Sequence, residues 1–380
     1  MITLILNSCH TATPIFEGHF YAKEKERVVQ LANAYIALKP ITVVASIAPR
    51  SAGGIHDFYS EGDYWWPDPQ QPKGPYIRKD GLTNPDNFVA HREAMIRFSQ
   101  ISGALSCAYI LTHHKKYAEK VAIHLRAWFI DEQTLMNPNL RYGQAIMGRF
   151  EGRGIGIIDT IHLIEVAQSV TAIADAGVLS EVELKTIKQW FSTYLKWMTT
   201  HPYGIAERDN GNNHSVCWVM QVAVFADVVG DEKLKSYCIK MYKEVVLPHQ
   251  MQENGSFPQE LARTKPYGYS LFTLDAMTTI CQVLSTPEDN LFTYQTPDGK
   301  SIAKGISFMY PYTKNKNTWP YQKDVMYWNE WPVRHSFLLF GGIALGNDAY
   351  LNLWNSLDAD FDTFEVLRNM PIRFPLLWLH

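Results

Sequence analysis

Apolar positions run in long blocks along most of this chain, and short polar turns interrupt them. Residues 88–111 carry a helical apolar pattern, THHKK breaks it, and YAEKVAIHLRAWFI resumes it. Residues 157–176 form a second such block that stops at Gly177, a predicted C-cap, and Ser180 with Glu183 has the form of a capping box for the next helix. HSVCWVMQVAVFADVV stops at Gly230 and DEKLKSYCIKMYKEVVL follows at once. LFTLDAMTTICQVL before STPEDN, and SFLLFGGIALG before NDAYLNLWNSL, repeat the same stop and restart.

Short connections make consecutive helices antiparallel neighbours. Several first members, notably 214–229, are apolar on all sides and predict buried helices, whereas their partners carry Lys and Glu on one face. The pattern predicts an all-α fold, an (α/α) toroid or incomplete barrel of about six to seven helical hairpins. Between the pairs lie connections rich in Gly, Pro, Trp, Tyr and His: 51–86, 137–156, 201–213, 250–269 and 309–335. Loops of that length inside a compact domain are usually functional, and these are predicted to wall a cleft at one end of the ring. Residues 26–380 read as one domain, preceded by an N-terminal segment 1–25 that resembles an extension or the remnant of a signal.

Composition narrows the reading only a little. A net charge of -3 and an isoelectric point near 6.5 argue against a general nucleic-acid binder. The five cysteines, Cys9, Cys107, Cys217, Cys238 and Cys281, lack any CxxC spacing and predict neither a disulfide framework nor a zinc site. The Asp and Glu residues show no cation-site spacing, so no metal or other cofactor is expected. No stretch reads as a membrane span, and MITLILNSCHTA lacks the basic start of a full signal peptide. Oligomeric state is not legible.

The chemistry concentrates in two places. Asn212-Asn213-His214 stands directly before the apolar run 214–229, so an amide and an imidazole sit at a helix N-terminus. That combination suits the holding of a carboxylate, although a capping Asn with a structural His would look the same. Arg263 precedes Tyr269 in a stretch whose Pro266 and Gly268 predict a loop, and a nearby cation favours the phenolate of a tyrosine. Around these two places, Tyr64, Trp65 and Trp66 form an aromatic run suited to stacking on sugars. Arg334 and His335 open an apolar helix much as His214 does; Arg334 is predicted either to bind a substrate carboxylate or to pair with Glu330. His56 is a further binding candidate, and Arg149 and Arg153 flank a Gly-rich turn that they would order before binding any ligand.

NNHS followed some fifty residues later by LAR and a Tyr resembles the alginate-lyase type of polysaccharide lyase. SAGGIHDFYSEGDYWWPDP, GLTNPDNFVAHR, MNPNLRYGQAIMG and GRGIGIIDT resemble polysaccharide lyase family 38 most closely; the likeness to family 5 is looser, because the Tyr region differs in spacing. The resemblance implies endo-acting β-elimination on an anionic polyuronate, alginate first and glucuronan second, by a periplasmic or secreted enzyme that needs no metal. It assigns Asn213 and His214 to neutralising the substrate carboxylate, and Tyr269 to the base and acid roles in a syn elimination. For the opposite C5 epimer His214 becomes the candidate base. Arg263 would lower the pKa of Tyr269 or bind a neighbouring carboxylate, and Tyr142 and Gln144 would lie near the cleft.

Two other classes compete. A glycoside hydrolase needs two facing carboxyl groups, for which Glu61, Asp63, Glu207 and Glu260 are candidates. A carbohydrate-binding protein without catalysis would have no reason to keep Asn213, His214 and Tyr269 together.

Overall fold

A computed structural model describes residues 20–379. Of the N-terminal segment 1–25, residues 1–19 lie outside those residues, Cys9 among them. Helix α1 (Tyr21–Tyr35) is followed by a long connection containing two short strands pairs' first members, β1 (Tyr59–Glu61) and β2 (Trp65–Trp66), and then β3 (Ile77–Arg78). Next come α2 (Ala90–Thr112), α3 (Lys115–Phe129), strand β4 (Tyr142–Ala145), α4 (Leu163–Ile173), α5 (Glu181–Thr200), α6 (Pro202–Arg208) and α7 (Asn213–Val229). Helix α8 (Glu232–Met241) continues through a π turn at Tyr242–Val246 into α9 (Leu247–Gln250). The chain ends with α10 (Pro258–Leu261), α11 (Pro266–Leu284), α12 (Ile302–Lys314), α13 (Ser336–Ala344), α14 (Asp348–Ser356) and α15 (Phe364–Asn369).

The inner helices pack in the order α2, α4, α7, α11, α13, each on the next. They are apolar all round because every face meets another helix; in α13 all residues but the last are buried. Their outer partners need only one apolar stripe, and α8 buries Cys238 alone. Helix α5 packs on α3 and α7, bridging neighbouring units. This is the all-α toroid that the pattern predicts, with α2–α3, α7–α8, α11–α12 and α13–α14 as inner–outer pairs among the described residues. One contiguous core runs from Phe20 to Trp378. Residue 25, taken from the sequence as a boundary, falls inside α1, which buries Glu24, Val28 and Ala32 together.

The caps read from sequence are present. Ser180 and Glu183 form the capping box of α5, and Gly177 and Gly230 adopt the left-handed conformation at φ 62° and 77°. Helix α2 is long and apolar enough to cross a membrane, yet 78% of its most apolar window is buried inside the protein, as suits a core helix. Cys107, Cys217, Cys238 and Cys281 are buried free thiols.

The connections are more ordered than loops. Strand β1 pairs in parallel with β4, and β2 pairs antiparallel with β3. Arg92, only 2% exposed, reaches from α2 to Asp63 at 2.8 Å and Asp159 at 3.2 Å, pinning two connections to the barrel. The expected loop through Pro266 and Gly268 is instead the first turn of α11. Proline suits the first helical position, where its missing N–H costs nothing. Asp324 accepts the next two N–H groups, from Tyr267 at 2.8 Å and Gly268 at 2.9 Å. Tyr269 therefore projects from a capped helix.

Arg334 and His335 do not reach a cleft. Arg334 donates to buried Glu24 at 2.6 Å and lies 4.4 Å above the Trp354 ring, so its partner is neither Glu330 nor a ligand. His335 is 0% exposed, with Nδ1 2.6 Å from Asp275, which also accepts the hydroxyl of Ser336 and the N–H of Phe337. The likeness to His214 is one of helix position only, because α13 begins inside the packing.

Two outcomes follow from these buried charges. Glu24→Gln leaves Arg334 and Arg27 without their shared carboxylate and should lower the unfolding free energy by about 3–5 kcal/mol in urea titrations. Asp324 has its carboxyl pushed up to about 6 by burial, against the opposing N–H groups of Gly268 and Tyr267. Its folded value lies above the unfolded one of about 3.9, so stability present at lower pH is lost as pH rises through 6. Between pH 4 and 7 the wild type should lose roughly 2–3 kcal/mol more than Asp324→Asn does, measured by urea unfolding at both values.

Candidate active site

The N-terminal turn of α7 is held from behind by two carboxylates that are each 0% exposed, Glu207 and Glu260. Asn212 caps the helix by accepting the His214 N–H at 3.0 Å. Glu260 accepts both the backbone N–H of Asn213 at 2.9 Å and its side-chain Nδ2 at 2.8 Å. Glu207 lies 2.7 Å from His214 Nδ1, and Gln250 donates to the Gly211 carbonyl at 2.9 Å. The helix N–H groups expected to face a ligand are thus already used. What remains is the second hydrogen of Asn213 Nδ2 and His214 Nε2, the nitrogen turned away from Glu207. Burial pushes both carboxyls up; His214 opposes this for Glu207, and the N–H groups of Asn213 oppose it for Glu260.

Tyr269 lies at the start of α11 with its hydroxyl 2.6 Å from that of Tyr64. Arg263 stacks 4.7 Å over the Tyr269 ring and is itself paired with Asp80 at 3.2 Å. Lys265, ion-paired with Glu365, lies 5.0 Å from the Tyr64 ring centre and 5.5 Å from that of Tyr269. Burial, and after it the Tyr64 hydroxyl, raise the Tyr269 pKa well above 10; Arg263 pulls the other way without prevailing. The sequence expectation of a lowered pKa fails because Arg263 faces the ring and shares its charge with Asp80. Resting Tyr269 is a neutral phenol.

These two groups line one cavity of about 270 Å³. Tyr64, Trp65, Gln144, Asn213, His214, Arg263 and Tyr269 all contribute to its wall. Trp66, one position on in β2, points the other way and donates to the Leu82 carbonyl at 2.9 Å, as strand alternation requires. Tyr142 packs its ring against Gly53, and His56 binds the Leu135 carbonyl at 2.7 Å through Nδ1; neither lines the cavity. Arg78, Arg153, Arg368 and Asn369 also line it. Arg368 and Asn369 come from α15, near the chain end, where no Gly-, Pro- or aromatic-rich loop marks them. Asp63 is the one carboxylate in the wall among the described residues, and Arg368 and Arg92 hold it well below the usual range against burial. Larger grooves of about 500 Å³ exist, such as that beside Lys196, Trp218 and Tyr237, but they gather no comparable set of groups.

Residues 42–319 match the family model described as alginate lyase. An alginate lyase from Bacteroides ovatus superposes with a TM-score of 0.80 at 29% identity, over 96% of this chain and 94% of that one. Alginate lyase A1-III from Sphingomonas species A1 shares the fold, with a TM-score of 0.58 at 15% identity over 92% and 93% of the two chains. A variant of A1-III complexed with a tetrasaccharide gives 0.52 at 17% identity over 78% and 77%. No curated protein sequence matches the chain. The family match spans more than half of the sequence, and the chain belongs to the alginate lyase family.

Proposed function

We propose that this protein is an endo-acting polyuronate lyase that cleaves alginate by β-elimination, within polysaccharide lyase family 38. The observation that carries this reading is the meeting of two groups in one cavity: an amide–imidazole pair backed by buried carboxylates, and a hydrogen-bonded tyrosine pair.

The C5 proton of a uronate is hard to remove while the adjacent carboxylate is negative. Asn213 Nδ2–H and His214 Nε2–H bind that carboxylate, and Glu207 holds the imidazole from behind. Charge then builds on the carboxylate oxygens as a base takes the C5 proton. The electron pair forms the C4=C5 double bond, the C4–O bond breaks, and Tyr269 protonates the departing oxygen. Its neutral phenol suits the acid half directly. For syn elimination Tyr269 must first lose its proton to solvent water, with Tyr64 hydrogen-bonded to the phenolate and Lys265 and Arg263 beside it; the phenolate then takes the C5 proton and passes it to the departing oxygen. For the opposite epimer His214 Nε2 serves as base across the ring, and Arg263 carries the carboxylate.

A hydrolase pair is not supported. Glu207 and Glu260 are spent behind His214 and Asn213, and Glu61 is paired with Arg50 at 2.5 Å. Asp63 is bridged by Arg92 and Arg368, which leaves no second free carboxyl opposite it. Glucuronan remains the second substrate to test, because the same cavity chemistry serves any uronate. By its likeness to polymer-degrading lyases we further place the enzyme in the periplasm or outside the cell.

Purified protein should raise ultraviolet absorbance on polymannuronate, polyguluronate or glucuronan, and should do so in the presence of a chelator. Tyr269→Phe should lower kcat by about 10²–10⁴-fold while keeping polymer binding. New reducing ends without absorbance would reject elimination. Because the phenol is held above its ordinary pKa, kcat/KM for the syn epimer should climb as pH rises from 7 to 9; a flat profile would remove Tyr269 from the base role.

A further inference from the structure

Four arginines line the cavity, and three have a carboxylate partner in the protein. Arg78 and Arg263 meet Asp80 at 2.5 and 3.2 Å, and Arg368 meets Asp63 at 2.5 Å. Among the described residues Arg153 makes no ion pair. Its Nε donates to the Gln144 carbonyl at 2.7 Å and its Nη2 to Gln144 Oε1 at 3.4 Å. The acids whose charge it feels are already engaged: Asp63 by Arg92 and Arg368, Asp159 by Ser60 and Arg92, Glu207 by His214. A guanidinium has five donor hydrogens, and two are used here on Gln144. An unpaired cation at a half-dry wall is unfavourable unless something anionic arrives.

The surroundings hold that cation in place. Gln144 has a φ of 52°, a left-handed conformation uncommon for a residue with a side chain. Its N–H donates to Ser60 Oγ at 2.8 Å, which fixes the turn against β1. Gly62 clears the space, because a Cβ there would come 2.8 Å from Arg153 Nη2. The ring of Trp65 lies 5.9 Å from the guanidinium and offers an apolar face next to it. Backbone strain kept by its neighbours beside an unmatched charge is the mark of a binding position.

We propose that Arg153, aimed by Gln144, receives the carboxylate of the sugar next to the one that undergoes elimination, so that cleavage requires uronates on both sides of the bond. This rests on the lyase reading. A uronan carries one carboxylate per sugar, and Asn213 with His214 accounts for only one of them. The flat, forked guanidinium matches a carboxylate in a way that a lysine ammonium does not.

The test compares wild type, Arg153→Gln and Arg153→Lys on the preferred uronan and on the same polymer after partial reduction of its carboxyl groups to alcohols. Rates are taken per remaining uronate from the unsaturated product. Wild type should lose about tenfold in kcat/KM on the reduced polymer, the loss of one charge-assisted contact. Arg153→Gln should begin about tenfold lower on the intact polymer, chiefly through KM, and be no further impaired by reduction. If wild type and Arg153→Gln fall by the same factor on reduction, Arg153 merely orders the Gln144 turn and the proposal is overturned. Should Arg153→Gln lose its near-ultraviolet circular dichroism, Arg153→Lys decides: discrimination weaker than wild type supports the proposal, and equal discrimination overturns it. A wild type that forms no unsaturated product on any uronan overturns the lyase reading and this proposal with it.

Discussion

Glu207 and Glu260, two carboxylates without access to water, set the geometry on which the catalytic cavity depends. A buried carboxylate is tolerated only where hydrogen bonds replace its hydration. Here those hydrogen bonds come from Asn213 and His214, the residues that open α7. The same contacts that satisfy the acids therefore fix the orientation of an amide and an imidazole toward the cavity. Loss of either acid would free a side-chain donor to rotate, and loss of Glu260 would also leave the Asn213 N–H unmet. The apolar length of α7, buried on nearly every side, makes the rest of the barrel the rigid support for that turn.

The tyrosine wall is assembled differently. Tyr269 comes from the first turn of α11 and Tyr64 from a connection 205 residues away in sequence. They meet because Arg92 draws Asp63 down onto α2, and because Arg368, from α15, reaches the same carboxylate. Lys265 and Glu365 add a second tie between α15 and the approach to α11. The C-terminal segment is thus part of the cavity although it lies beyond residue 319, where the family match ends. Cationic groups around a buried phenol oppose burial without cancelling it, and the phenol stays protonated at rest.

The cavity wall is arginine-rich, and most of its cations are already balanced by Asp63 and Asp80. That balance keeps the wall stable when empty, while the less compensated donors, at Asn213, His214 and Arg153, are left for a polyanion. Attraction over the whole wall and recognition at a few donors are separate effects. The first depends on net potential, and the second on which groups lack an internal partner.

Much of this was legible in the chain. The apolar blocks, Gly177, Gly230 and the Ser180–Glu183 box gave the helix pairs, because helix periodicity and capping are local. Asn213-His214 stood out because polar residues at the mouth of a buried helix need a reason, and Tyr269 because an arginine precedes it in the same stretch. Other residues were misjudged where local cues were silent about distant partners. Pro266 and Gly268 read as a loop until Asp324, some fifty residues on, capped their turn. Arg334 and His335 repeated the helix-mouth pattern but met Glu24 and Asp275 in the core. Trp65 and Trp66 could not be told apart until strand pairing chose which of them faces the cavity. The sequence by itself determined the helices, their pairing and the residue types that chemistry would need. Only the tertiary structure decided which charges are paired and which remain open, because ion pairing and burial depend on contacts between residues far apart in the chain.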